Sequence, residues 1–296
     1  MKFLLIIISI FIHPIVYSQN FQSEFQIYFN ENDTINQLKV LEAWEKSKPD
    51  DPELFTSYFN YYVQKAESDI ITLTTEQLEG ESFVLKDSLN ATVGFLGSQT
   101  WFKTEEIEKG FAKIERGIKL YPNRLDMRFG KIYVLGLLKD WENFTLEIIK
   151  TVRYSSQNNN EWLWINNEQL DEAKGFMLAS IQSYQLQLFD TGDDALLKNM
   201  RDISEEILRY YPDHIESLSN ISITYLLTGA YDKGIETLLK AEKLNPKDFI
   251  VLSNIARGYE LKGDKENAVL YYEKTIEYGD EEAKQFATQR LEELKK

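Results

Sequence analysis

The 296-residue chain contains no cysteine, so it has no disulfide, no thiolate nucleophile and no sulfur ligand for a metal. Histidine is nearly as scarce. His13 and His214 alone are present, too few for a zinc centre or a nucleophile activated by imidazole. The 14 glycines are scattered and form no phosphate-cradling loop. No apolar run approaches the roughly 20 residues needed to cross a bilayer. Basic residues are the minority, 33 against 48 acidic, giving a net charge of −15. A field of that sign repels nucleic acid and anionic membrane surfaces, both of which are bound through cationic side chains. No motif asks for a cofactor or a metal.

What is present is enough apolar material for a large core, 43% of the residues. The first residues have the layout of a secretory leader: Lys2, then an apolar run from Phe3 to Ile12 broken only by Ser9, then Pro14, with Val16 and Ser18 as the small residues of a cleavage site. Cleavage is expected after Ser18, which makes the mature chain begin at Gln19 and work in the periplasm or outside the cell. The alternative, a retained anchor, conflicts with the shortness of the run, and no cysteine follows it to carry a lipid. An exported chain without disulfides must be held by packing alone.

The most informative stretch is 212–280. Leu218, Ile221, Ser222, Tyr225, Gly229, Leu238 and Ala241 are matched, each 34 residues later, by Leu252, Ile255, Ala256, Tyr259, Gly263, Tyr272 and Thr275. Pro212 and Pro246 keep the same offset. Apolar residues recur at helical spacing, and Ser222, Gly234, Ala256 and Ala268 are small where paired helices must approach. Gly229 and Gly263 mark turns, Asp213 with Glu216 reads as a capping box, Asp264 as a second cap, and each proline stops the helix before it.

Looser copies lie upstream. Leu120-Tyr121-Pro122 repeats the helix-end signal, Leu125 to Leu138 is a helical run, and Ala173 to Phe189 is followed by a polar turn and a helix from Leu196 to Tyr210. Leu38 to Lys46 and Leu54 to Ala66 flank Pro49-Asp50-Asp51-Pro52, a helix end and a helix start. Ile70 to Thr75, Phe83 to Lys86 and Ala91 to Leu96 are β-prone, which predicts a small hairpin with a third strand, inserted between helices. The loop Ser155 to Asn167 favours neither helix nor strand. Beyond Gly279, Ala283, Phe286, Ala287, Leu291 and Leu294 make one apolar stripe on a charged helix, as an end cap needs.

A 34-residue period with this order of large, small, aromatic, Gly and Pro positions resembles the tetratricopeptide repeat (TPR), closely over 213–280 and loosely over most of the chain. The chain as a whole is similar to exported TPR proteins of Gram-negative bacteria. The resemblance implies an all-α fold, a right-handed superhelical stack of roughly five helix pairs, and a concave groove that binds a protein or peptide. The expected organisation is a leader at 1–18, N-terminal helices at 19–67, a β-hairpin insertion at 68–101, divergent helix pairs at 102–212, two regular repeats at 213–280 and a capping helix at 281–296.

Carried onto this sequence, the groove positions are Glu216, Ser219, Asn220, Ile223 and Leu227, then Ile250, Ser253, Asn254, Arg257 and Leu261. Some family members grip a C-terminal carboxylate with Lys, Arg and Asn. Asn220 and Asn254 match such asparagines, but the lysines are missing, with Glu216 and Ile250 where cations would serve. Both asparagines are equally suited to bonding neighbouring helices.

The resulting expectation is a non-enzymatic scaffold or adapter whose partner is a protein or peptide. Its alternatives are a glycan- or small-ligand-binding protein using Trp162 and Trp164, and an enzyme with an unrecognised site. The tryptophans stand in an Asn-rich loop, where they either stack on a ligand or fill a gap between helices. His214 reads as a surface or capping residue. Paired acids such as Asp193-Asp194, Glu205-Glu206 and Glu281-Glu282 read as solvated helix starts or faces.

Overall fold

A computed structural model describes residues 20–78 and 80–294. The leader and its cleavage site after Ser18 lie outside them. Within them, the first three helices each begin where an Asp or Asn precedes an apolar-periodic run. Asn20 caps α1 (Phe21–Asn30), Asp33 caps α2 (Thr34–Ser47), and Asp51, with Pro52 in the first helical turn, caps α3 (Pro52–Ala66). The chain divides into two compact units at Lys113/Ile114.

In the first unit, α1 to α3 close around Phe21, Phe25, Leu41, Trp44, Leu54 and Tyr58. The rings of Phe21 and Trp44 stack at 5.8 Å between centroids. Three antiparallel strands follow, β1 (Glu67–Thr74), β2 (Ser82–Lys86) and β3 (Thr92–Phe102), in the order β1-β3-β2. The third strand expected from the sequence is therefore β1, which pairs along β3 from Glu67↔Phe102 to Thr74↔Phe95. The β2–β3 turn is fixed by Asp87, whose carboxylate accepts from the backbone N–H groups of Leu89 and Ala91, and by Asn90 at φ 67°. Helix α4 (Thr104–Leu120) follows the sheet and contains the unit boundary.

The second unit is a run of helices in which each packs on the next: α5 (Leu125–Leu137), α6 (Trp141–Gln157), α7 (Ala173–Asp190), α8 (Leu197–Tyr210), α9 (Ile215–Leu227), α10 (Tyr231–Leu244), α11 (Phe249–Lys262), α12 (Lys265–Tyr278) and α13 (Glu281–Leu294). Starts at 215 and 231 recur at 249 and 265, so the 34-residue offset of the sequence is the offset of the helix pairs. This is a stack of TPR-type helix pairs with a small sheet elsewhere in the chain.

The close approaches fall where small residues were expected. Ser222 Oγ donates to the Gly234 carbonyl at 2.9 Å, and Ala256 and Ala268 are fully buried. Gly263 ends α11 at φ 86°, a conformation that only glycine adopts freely. Asp264 caps α12 as expected, whereas the cap of α9 is His214, not Asp213. Its Nδ1 lies 2.8 Å from Ser217 Oγ, so the expected capping box is replaced by an imidazole–hydroxyl bond. Ala287 and Leu291 of α13 are buried against the last pair, the apolar stripe the capping helix needs.

Candidate binding groove

Residues three and four apart on one helix share a face, and the first helices of three successive pairs turn such faces toward a common groove. α7 contributes Gln182, Gln185, Leu186 and Phe189. α9 contributes Glu216, Ser219, Asn220 and Ile223, and α11 contributes Ile250, Val251 and Asn254 after its cap, Asp248. The cavity holds about 310 Å³. Its apolar wall is open to solvent, with Leu186 54%, Phe189 44% and Ile250 58% exposed. Exposed side chains of this size on adjacent helices make an apolar patch of the kind that marks interaction sites.

The polar groups of the groove differ in their commitments. Gln182 and Asn220 bond each other reciprocally, Asn220 Nδ2 donating at 2.6 Å and Gln182 Nε2 at 3.3 Å. Gln185 is 1% exposed. Its Oε1 accepts from Ser204 Oγ at 2.8 Å, while its Nε2 is buried with no hydrogen-bond partner among the described residues. Asn254 is half-buried, and its carboxamide has no hydrogen-bond partner among the described residues.

Two carboxylates border the groove. Asp248 accepts from the backbone N–H groups of Ile250 and Val251. Glu216 lies 3.2 Å from His214 Nε2. Burial lowers the His214 pKa below the usual imidazole value, outweighing the pull of Glu216, with Lys174 adding to the depression. A neutral imidazole donates from Nε2 to Glu216 and leaves that carboxylate's charge uncompensated.

Of the positions expected on the groove, Glu216, Ser219, Asn220, Ile223, Ile250 and Asn254 line it together. Ser253, Leu227, Leu261 and Arg257 are not among its lining residues. Arg257 turns instead to Glu260, with Nη1 3.0 Å from the carboxylate. Glu260 also accepts from the Tyr272 hydroxyl at 2.6 Å and from Arg290 of α13. The arginine is thus part of a knot tying α11 to α12 and α13. The α7 side of the groove was not anticipated, although Gln182, Gln185, Leu186 and Phe189 carry the helical spacing that would have found it.

Trp162 and Trp164 do not stand open in their loop. Trp162 is fully buried beside the Tyr154 ring, 5.6 Å between centroids, with the Arg128 guanidinium over it at 5.6 Å. An indole so enclosed has no face to offer a sugar. Trp164 is half-buried and meets the Phe129 and Phe176 rings edge-on. The loop is stitched to the start of α5, Leu163 N–H donating to the Asn123 carbonyl and Leu125 N–H to the Leu163 carbonyl. Among the described residues no cluster of three or more His, Asp or Glu converges as a metal site, and no helix is long and apolar enough to cross a membrane.

No family model and no curated protein sequence matches the chain. Similar solved structures include YrrB, a TPR protein with an unusual peptide-binding site, at 14% identity and a TM-score of 0.39, covering 63% of this chain and 85% of YrrB. MamA matches at 17% identity and a TM-score of 0.36, covering 61% of this chain and 93% of MamA. The C-terminal part of a TPR repeat-containing protein from Cytophaga hutchinsonii matches at 15% and 0.40, covering 87% and 78%. The assignment of this chain to TPR-type helix pairs rests on its own 34-residue offset and packing.

Proposed function

We propose that the chain is a non-enzymatic scaffold or adapter that holds a segment of another protein in the groove of α7, α9 and α11. The observation that carries this reading is the open apolar wall of Leu186, Phe189 and Ile250 around the unpartnered carboxamide of Asn254. Apolar side chains of a ligand bury against the wall, and its backbone bonds the amide, the division of labour expected of a peptide site. The leader-like residues 1–18 support a place in the periplasm or outside the cell.

Selection of peptides from a random displayed library on the full chain tests the reading. Selected peptides should bind the Leu186→Gln/Ile250→Gln double variant about tenfold or more weakly, since two exposed aliphatic contacts are lost without a change of charge. A pool that binds this variant at full affinity, or no enrichment at all, contradicts it.

A further inference from the structure

The groove has a sign as well as a shape. Its lining residues include Glu216 and Asp248 and neither lysine nor arginine. Lys174, whose charge is felt at His214, lies over the Tyr211 ring at 5.5 Å, and Arg257 is bound to Glu260; neither lines the groove. Gln185 lines the same groove, and its buried Nε2 is a donor with no acceptor among the described residues. A buried unpaired donor destabilises a fold unless something supplies its partner.

Resting on the groove reading, we propose that the segment held there is cationic. It carries Lys or Arg beside an apolar side chain and places a main-chain carbonyl oxygen on Gln185 Nε2. Acidic segments and free C-terminal carboxylates are turned away by Glu216 and Asp248. The charge also argues against a second copy of this chain, which at −15 would bring the wrong sign to the groove.

The test uses the library-selected peptides and three substitutions in the full chain. Glu216→Gln and Asp248→Asn keep shape, and asparagine keeps the helix cap. Gln185→Met removes the unpaired donor. The selected pool should be enriched in Lys and Arg, and its binding should weaken with salt. The double carboxylate variant should bind the pool about tenfold more weakly, the sum expected of two partly exposed charge pairs. Gln185→Met should weaken binding severalfold; because it also takes away the Oε1 acceptor of the buried Ser204 hydroxyl, its thermal midpoint falls, and binding is compared at a temperature where both proteins are fully folded.

A pool without basic residues, or one indifferent to the double carboxylate variant, overturns the cationic assignment. If that pool still depends on Leu186 and Ile250, the groove reading stands. Independence of Leu186 and Ile250 would remove both. Full binding by Gln185→Met overturns the role given to its Nε2.

Discussion

Asn220 and Gln182 join their carboxamides in both directions across α9 and α7, whereas Asn254, 34 residues after Asn220, has no hydrogen-bond partner for its side chain among the described residues. The reason lies one repeat along. Glu216 stands 34 residues after Gln182, but its carboxylate turns to His214 Nε2 at 3.2 Å and leaves Asn254 open. The two asparagines should therefore respond in opposite ways. Asn220→Ala should lower stability by about 1–2 kcal/mol, because it orphans the Gln182 amide. Asn254→Ala should melt normally and bind selected peptides severalfold more weakly. Melting curves and peptide titrations of both variants decide, and the reverse pattern would mean that Asn220 is the ligand contact.

Gly234 sets how closely α9 and α10 approach. A Cβ there would lie 2.7 Å from Leu226 Cδ2, 2.9 Å from its Cγ and 3.2 Å from the Ser222 carbonyl oxygen. Gly234→Ala gains about 1 kcal/mol of helix propensity. Overpacking costs about 1–3 kcal/mol, so the net effect should be a loss of up to about 2 kcal/mol. A variant more stable than the parent in chemical denaturation would show that the pair has room to spread.

Stability should also fall on acidification through the histidine range. Burial holds the folded His214 below the usual imidazole pKa, so the unfolded chain takes up this proton first as pH drops below about 6.5. The stabilising contribution is present above that pH and is lost as pH falls toward the depressed folded value. His214→Gln should flatten the slope of unfolding free energy between about pH 7.5 and 5.5, a window above the ordinary carboxylate range. An unchanged slope in the variant would place the titrating group elsewhere.

Trp162→Ala should cost about 3–5 kcal/mol, the range for a fully buried large aromatic. Denaturation measures it directly. A variant that unfolds like the parent would return the loop to consideration as a ligand site.

The regular repeats were legible because their signals are local: Gly263 at a left-handed turn, Asp264 at a cap, Pro246 just after a helix and small residues at Ser222 and Ala256. The offset of 34 then placed Asn220 and Asn254 on equivalent helices. The α7 wall was harder to see, since that helix starts after Glu172 at φ 48° without a side-chain cap, and no regular period leads to it. The Asn-rich loop was similarly opaque. Asn159, Asn160, Asn166 and Asn167 all take positive φ, a use of asparagine that composition suggests but does not locate. The pairing of Arg257 was not legible, because the Arg290 that shares the Glu260 carboxylate comes from a helix 30 residues beyond Glu260, out of reach of local spacing.

Amide hydrogen exchange, with and without a library-selected peptide, tests the groove most directly. The account predicts slowed exchange in α7, α9 and α11 around Gln185, Asn220 and Asn254, with the β1–β3 sheet and residues 158–172 unchanged. Protection appearing instead on the sheet or on the Trp162 loop, with the three groove helices unaffected, would contradict it.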